Sequence, residues 1–376
     1  LSVVMTWFVL AMGTVVLGAR GLDAFGALHL TYLGLTVTVP LLGAALLTRT
    51  LSAPLLARLE PTLPPPPPPT AAERILGTRK AEAPRPAGPL ARRVAIALGV
   101  VLLLPAPVGW YATHVAPHRL RVDRVAVPVD PARTGDDPVR IGVLTDLQTD
   151  DPGSYEHDAV DRLLAEEPDL VLLPGDLFQG SRQALDRHLD DMRALLGRIT
   201  APHGVYLVRG DVDWFDAADR LVEGTGITIL DDEAVDVTVG DRRLRIGGHR
   251  LAYRTPEAAA LRDELHTAPE DGTIRILLAH RPDAALHLPP DSRVDLVVAG
   301  HTHGGQIAVP GFGPLVTMSD VPRDVAAGGL HELAGNPIYV GTGVGLERGQ
   351  APQVRLFTRP SVGILHIASE KPHMSA

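Results

Sequence analysis

Histidines and carboxylates recur in this chain where apolar runs end. The plainest case is Leu296 to Ile307, where an apolar strand pattern runs into Gly300-His301-Thr302-His303-Gly304-Gly305-Gln306. Residues i and i+2 of a strand, or of its immediate exit, point to the same side, so both imidazoles face one point. A metal edge is built this way, and a polar turn with two exposed histidines is the plainer alternative. Four other apolar runs end in the same chemistry: Asp146 with Gln148 two residues on, Pro174-Gly175-Asp176, Arg209-Gly210-Asp211-Val212-Asp213, and Ala279-His280. One carboxylate after a strand is ordinarily a helix cap or a turn residue. Five strand ends bearing carboxylate or imidazole share coordination of a divalent cation as their common chemistry. The chain contains no cysteine, which excludes thiolate sites and cysteine nucleophiles.

The elements that must position these groups begin near Val139. Strands are expected over residues 139–145, 170–173, 205–208, 227–230, 235–239, 243–246, 274–278, 294–298, 338–340 and 362–367. Helical spacing of apolar residues marks 159–165 and 185–196. Strands alternating with helices define an α/β domain with covered sheet faces, and such domains gather functional residues at the C-terminal edges of their strands. Helices thin out toward the C-terminus, so part of the sheet system is expected to be mixed or antiparallel.

The ordered set Asp146, Gly175-Asp176, Gly210-Asp211-Val212-Asp213, His280 and Gly300-His301-Thr302-His303 resembles the calcineurin-like metallophosphoesterases, whose pattern is D-x-H, G-D, G-N-H-D/E, H and G-H-x-H. The likeness spans about residues 140–367 and is nearest the bacterial branch with membrane or export segments, in which G-H-T-H-G-G-Q precedes glycine-rich strands such as Tyr339 to Gly345. It implies a four-layer α/β/β/α sandwich holding two divalent cations (Mn, Fe, Zn or Mg) that activate a hydroxide and clamp a phosphoryl group. By that resemblance Asp146, Asp176 and His303 hold one cation, with Gln148 beside them. Asp176 bridges to a second, held by Asp211, His280 and His301. Asp176, Asp211 and His301 are thereby the catalytic set. Independently of the resemblance, the guanidinium groups of Arg348 and Arg355 are candidates either to hold a substrate phosphate by bidentate hydrogen bonds or to form structural salt bridges.

Three residues depart from the pattern. Gln148 stands at the histidine of D-x-H, and an amide oxygen is a weaker ligand for zinc or iron than imidazole. Asp211 stands at the asparagine and adds a negative charge. Val212 stands at the histidine that contacts phosphate or protonates the leaving group, and valine does neither. Two readings therefore stand side by side: a phosphomonoesterase or phosphodiesterase, and a catalytically degraded relative that binds metal or a phosphorylated ligand as a sensor or assembly component. Asp150, Asp151 and Asp213 are further acids nearby, either supporting the ligands or solvated. His157, His188, His203, His249 and His287 match no ligand position and are expected at the surface or satisfied in the core.

Ahead of this domain the 376-residue chain is mostly apolar. Residues 2–19, 24–48 and 94–115 carry almost no charge and are expected to form three transmembrane helices, the longer two reaching roughly 33 to 37 Å against a hydrocarbon core of about 30 Å. Between the second and third, residues 49–93 hold six consecutive prolines, Pro64 to Pro69, and read as a stiff linker. Eight basic residues there, Arg49, Arg58, Arg74, Arg79, Lys80, Arg85, Arg92 and Arg93, outnumber Glu60, Glu73 and Glu82, which puts the linker in the cytoplasm. The expected organisation is a multi-pass membrane region over 1–118, a connector over 119–138, an extracytoplasmic phosphoesterase domain over 139–370 and a tail over 371–376. A lipid bilayer and a phosphorylated small molecule or lipid are the expected partners. The net charge of −9 and the lack of a basic stripe argue against nucleic acid, and the uncharged apolar stretches argue against a transport path.

Overall fold

The computed structural model describes residues 24–59, 88–130, 133, 135–214, 216–349 and 351–368. The expected span at 2–19, most of the proline linker and the tail lie outside them. The chain divides into two units, one containing the N-terminal residues to Tyr111 and the other beginning at Ala112.

In the N-terminal unit, α1 (Ala24–Leu33) runs through a π-helical turn, Gly34–Thr38, into α2 (Val39–Leu59). Helix α3 (Pro89–Leu103) is followed by α4 (Pro105–His114). Two helical segments, Phe25–Pro54 and Pro89–His118, are long and apolar enough to cross a membrane. Thr31 Oγ1 donates to the Ala27 carbonyl and Thr36 Oγ1 to that of Tyr32, so these two hydroxyls are satisfied within their own helix. Helices α2 and α3 meet at Gly43 and Gly99, where a side chain on Gly43 would strike the Gly99 carbonyl.

The second unit is built on two six-stranded sheets. The first runs β1 (Arg121–Pro128), β14 (Ser361–Ala368), β2 (Val139–Val143), β3 (Leu170–Leu173), β4 (Val205–Leu207) and β5 (Ile227–Ile229) from edge to edge. The second runs β12 (Gly329–Leu333), β13 (Asn336–Val340), β9 (Leu296–Ala299), β8 (Ile274–Leu278), β7 (Arg242–Gly248) and β6 (Glu233–Val239). Period-two alternation decides the layers. Ile141, Val143, Leu170 and Leu172 of one sheet join Ile246, Ile276, Leu278 and Val298 of the other in a core between the sheets. The alternate residues Val171, Leu173 and Leu207 face α5 (Ser154–Leu164), α6 (Arg182–Leu196) and α7 (Ala217–Val222). On the far face of the second sheet Leu277, Val297 and Ile338 pack with Leu265 of α8 (Pro256–Thr267) and Val325 of α9 (Arg323–Ala326). The result is an α/β/β/α sandwich. As expected, late strands pair antiparallel, β12 with β13 and β14 with β2.

The segment expected as a connector, 119–138, instead supplies β1, the edge strand parallel to β14. Val125 and Val127, two residues apart, pack into the core between the sheets, Val122 packs on the opposite, helical side, and the arginine and aspartate between them are partly exposed, as fits a half-buried edge. Helix α8, absent from the expected elements, starts at a Thr255 cap whose Oγ1 accepts from the Ala258 amide at 3.2 Å, with Pro256 in the first turn.

His249, just past β7, is buried in the core and receives a hydrogen bond from Arg262 at Nε2, 3.2 Å away, with Asp232 3.4 Å from Nδ1. Burial and the Arg262 charge push its pKa down to about 4. The unfolded chain protonates this imidazole near pH 6.5 and the folded chain near pH 4, so stability contributed by neutral His249 falls as pH drops through that window. The fall amounts to up to about 3 kcal/mol. Thermal unfolding in detergent at pH 7 and pH 4.5 should show a smaller acid-induced drop in Tm for His249→Asn than for the parent.

Candidate metal centre

Every charged or imidazole group singled out for cation binding leaves the C-terminal edge of a strand: Asp146 after β2, Asp176 after β3, Asp211 after β4, His280 after β8, and His301 and His303 after β9. The two sheets are joined there. The His301 amide donates to both Asp146 carboxylate oxygens at 3.1 Å, and the Gly345 amide donates to the Asp146 carbonyl at 2.7 Å. Glycine is required at two contact points, since a side chain on Gly210 would run into Asp176 and one on Gly300 into Thr145 and Asp146. Asp146, Gln148, Asp176, His301 and His303 all hold left-handed backbone, with φ from 37° to 71°. Non-glycine residues adopt that conformation rarely, and it collects at functional sites.

Two donor clusters result. Asp211, His280 and His301 each offer a ligand atom within 4.8 Å of the others, and so do Asp146, Asp176 and His280. His280 Nδ1 donates to the Pro174 carbonyl at 2.7 Å, which turns Nε2 toward Asp176 Oδ2 at 3.4 Å and Asp211 Oδ2 at 3.3 Å. His301 Nε2 donates to the Met318 carbonyl at 3.0 Å and aims Nδ1 at Asp211 Oδ2, 2.9 Å away. A backbone acceptor on the far nitrogen is the usual way to fix the tautomer of a ligating histidine. His303 Nε2 lies 3.7 Å from Asp146 Oδ1.

The electrostatics are those of a site built around positive charge. Burial pushes the Asp146 carboxyl up to about 6. Burial and the charge of Asp176 do the same to Asp213. Burial opposes ionisation of Asp176 and Asp211 too, but hydrogen bonds and neighbouring imidazoles outweigh it and hold both below the ordinary range. His280 is raised, with Asp176 and Asp211 overcoming its burial, whereas burial and Arg355 hold His303 well below its ordinary value. His280 Nε2, both ring nitrogens of His303 and Gln148 Oε1 are buried without a hydrogen-bond partner. Buried lone pairs of this kind beside carboxylates are costly unless a cation takes them. The residues present therefore fit a divalent pair with oxygen and nitrogen ligands.

Gln148 is oriented as a donor. Its Nε2 bonds Asp176 Oδ2 at 3.0 Å and Glu347 Oε2 at 3.3 Å. Two carboxylates dictate that placement of the amide, so here Gln148 braces Asp176 and does not turn its oxygen to it. Arg355 and Arg348, expected at a phosphate, take other partners. Arg355 is fully buried and donates to the carbonyls of His303, Gly343 and Gly345. Arg348 binds the Gln148 carbonyl and Asp150. Asp213 is buried and accepts the amides of Asp176, Leu177 and Gly210 at 2.7 to 2.9 Å, clamping two ligand loops together. Asp151 pairs with His188. The Val212 amide donates to Asp176 Oδ1 at 2.9 Å, so that position contributes backbone only.

Two residues at the site were not singled out in the sequence. Arg281 forks onto Asp211 through Nε, at 3.0 Å, and a terminal nitrogen. It follows His280 directly, which is the only local hint. Glu347 links Gln148 to Gln179, 2.7 Å from its Nε2, and comes two residues after the glycine run ending at Gly345.

Residues 139–305 match the calcineurin-like phosphoesterase family. The chain is 30% identical over 236 residues to the phosphodiesterase YaeI of Escherichia coli, covering 61% of this chain and 82% of that protein. It is 27% identical to the metallophosphoesterase YkuE of Bacillus subtilis, over 69% of this chain and 89% of that one. A Caenorhabditis elegans protein named as a metallophosphoesterase is 28% identical over 70% of this chain, which spans only 54% of its length. The chain belongs to the calcineurin-like phosphoesterases. Its fold is the metallophosphoesterase sandwich, and its two acidic and histidine clusters are those of a metal-dependent phosphoesterase with a dimetal site.

Proposed function

We propose that the chain is a membrane-anchored phosphoesterase that hydrolyses phosphodiesters or phosphomonoesters with good leaving groups. The observation that carries this reading is the pair of donor clusters sharing His280 across the joined sheet edges. In this reading Asp146, Asp176 and His303 hold one cation and Asp176, Asp211, His280 and His301 the other. Bound there, the pair supplies Lewis acidity toward the phosphoryl oxygens and a lowered pKa for attacking water. The chain's own residues do the rest. Gln148 and the Val212 amide fix the two oxygens of Asp176, Asp213 fixes the loops that carry it, and the Pro174 and Met318 carbonyls orient the imidazoles. Arg281 offsets the charge that Asp211 adds and puts a guanidinium beside the cluster. The second reading, a non-catalytic phospho-ligand sensor, is favoured by Val212, which has no proton to give.

Turnover separates the two. The purified full chain should hydrolyse bis-p-nitrophenyl phosphate in Mn²⁺ and lose that activity to a chelator. No turnover with any of Mn²⁺, Fe²⁺, Zn²⁺ or Mg²⁺ would favour the sensor. Arg281→Gln should have opposite effects on two ligands: Mn²⁺ binds more tightly as Asp211 is freed, and inhibition by inorganic phosphate weakens. Each effect should be about tenfold, since hydrogen bonds to charged groups are worth roughly 1.5–3 kcal/mol. Calorimetric titration with each ion reads both.

The apolar segments Phe25–Pro54 and Pro89–His118 support a membrane anchor. The excess of arginine in the linker supports a cytoplasmic linker with the phosphoesterase domain on the opposite side.

A further inference from the structure

Six large apolar side chains are exposed among the described residues of the second unit, and five of them share one lobe. Val309 (41% exposed), Phe312 (58%), Leu315 (46%), Met318 (54%) and Phe357 (69%) belong to it, and Leu286 is the sixth. The lobe is a hairpin of β10 (Ala308–Val309) and β11 (Gly313–Pro314) with the segments that flank it. Backbone bonds from the Leu356 amide to the Gln306 carbonyl and from the Ala308 amide to the Leu356 carbonyl, both 2.9 Å, seat Phe357 against it. Met318 (φ 52°) and Phe357 (φ 58°) present their apolar side chains from left-handed backbone. A fold gains nothing for its own stability by straining the chain to hold a bulky apolar group in water.

The lobe is tied on one side to the end of an apolar span. The Arg355 amide, two residues before Phe357, donates to the Ala112 carbonyl at 2.9 Å, and Ala112 lies within Pro89–His118. Arg359 Nε donates to the Arg119 carbonyl at 3.0 Å, just past that span. On the other side the lobe is tied to the metal centre, through the bond of His301 to the Met318 carbonyl and that of Arg355 to the His303 carbonyl. The Arg323 guanidinium lies 4.2 Å from the centre of the Phe312 ring. Apolar and aromatic tips with Arg323 against one ring, and with Arg119 and Arg359 at the exit of a candidate transmembrane helix, have the composition of an interfacial membrane contact.

We propose that this lobe docks on the lipid bilayer beside the point where the chain leaves the membrane. The mouth of the metal centre at His301 and Met318 then opens at the lipid surface, toward phosphate esters presented there. This rests on the reading of Phe25–Pro54 and Pro89–His118 as membrane spans. A second copy or a soluble protein is the rival occupant, and the bond to Ala112 and the arginines favour the bilayer.

Because the chain has no cysteine, single substitutions can carry an environment-sensitive nitrobenzoxadiazole label. Full-length Phe312→Cys, Met318→Cys, Phe357→Cys, Leu98→Cys and Asp190→Cys would be reconstituted in phosphatidylcholine–phosphatidylglycerol vesicles. Leu98 reports the span and Asp190 the exposed face of α6. The expected result is blue-shifted emission, quenched by doxyl-labelled lipids, at 312, 318, 357 and 98, with an aqueous, iodide-quenched label at 190. Quenching by lipid at 98 with aqueous labels at 312, 318 and 357 overturns the docking and leaves the spans standing. Aqueous labels at 98 as well as at the lobe overturn both. No step of the measurement depends on turnover, so it is independent of the phosphoesterase reading.

Discussion

Asp176→Asn should abolish both turnover and the stabilisation of the fold by cations. Asp176 is 2% exposed, and its two oxygens meet the Val212 amide, Gln148 and, at 3.4 Å, His280. It belongs to one donor cluster and lies beside His280, which belongs to both, and in the proposed assignment it serves both cations, so its neutralisation removes charge from each. Electrostatic stabilisation from a cation pair is worth several kcal/mol and each 1.4 kcal/mol is tenfold, so kcat should fall by about 10³-fold or more. A loss of activity alone would not separate chemistry from misfolding. The metal-free Tm should be close to that of the parent, because Asp176 also burdens Asp213 with like charge. The rise in Tm that Mn²⁺ gives the parent should be missing.

Val212→His should change which leaving groups are accepted. General acid catalysis contributes about 10²- to 10⁴-fold where the departing oxygen needs a proton, and p-nitrophenolate needs none. The substitution should therefore raise hydrolysis of alkyl phosphate esters by about 10²-fold or more while changing bis-p-nitrophenyl phosphate turnover little. The existing Val212 amide bond to Asp176 is made by backbone, so a new side chain leaves that support in place. Equal changes for the two substrate types would show that the position does not face the leaving group.

Much of this centre could be read from the sequence because its ligands follow strands, and strands such as Leu170–Leu173 and Ile274–Leu278 are short, β-branched or leucine-rich and fully buried. The chemistry then sits at the next residue or two. What local pattern does not carry is partnership over long sequence distance. Arg281 meets Asp211 from 70 residues away, and Glu347 meets Gln148 from 199. The phosphate role expected of Arg355 came from its charge, yet the fold spends that charge on three carbonyls and buries it completely. Gln148 shows the same limit. Its type allows an oxygen ligand or a nitrogen donor, and only the two carboxylates that converge on it decide for the donor. Strand β1 was obscured because Asp123 and Arg124 interrupt its valines, so that Val122 faces one side and Val125 and Val127 the other, and no period-two apolar run marks it.

The central claim is that one chain holds two divalent cations between its joined sheet edges. Equilibrium dialysis of the purified full-length protein against Mn²⁺, followed by elemental analysis, tests it without any substrate. Two ions per chain, falling to one or none in Asp176→Asn, is the predicted result. A parent chain that binds one ion or none at saturating Mn²⁺ would contradict it.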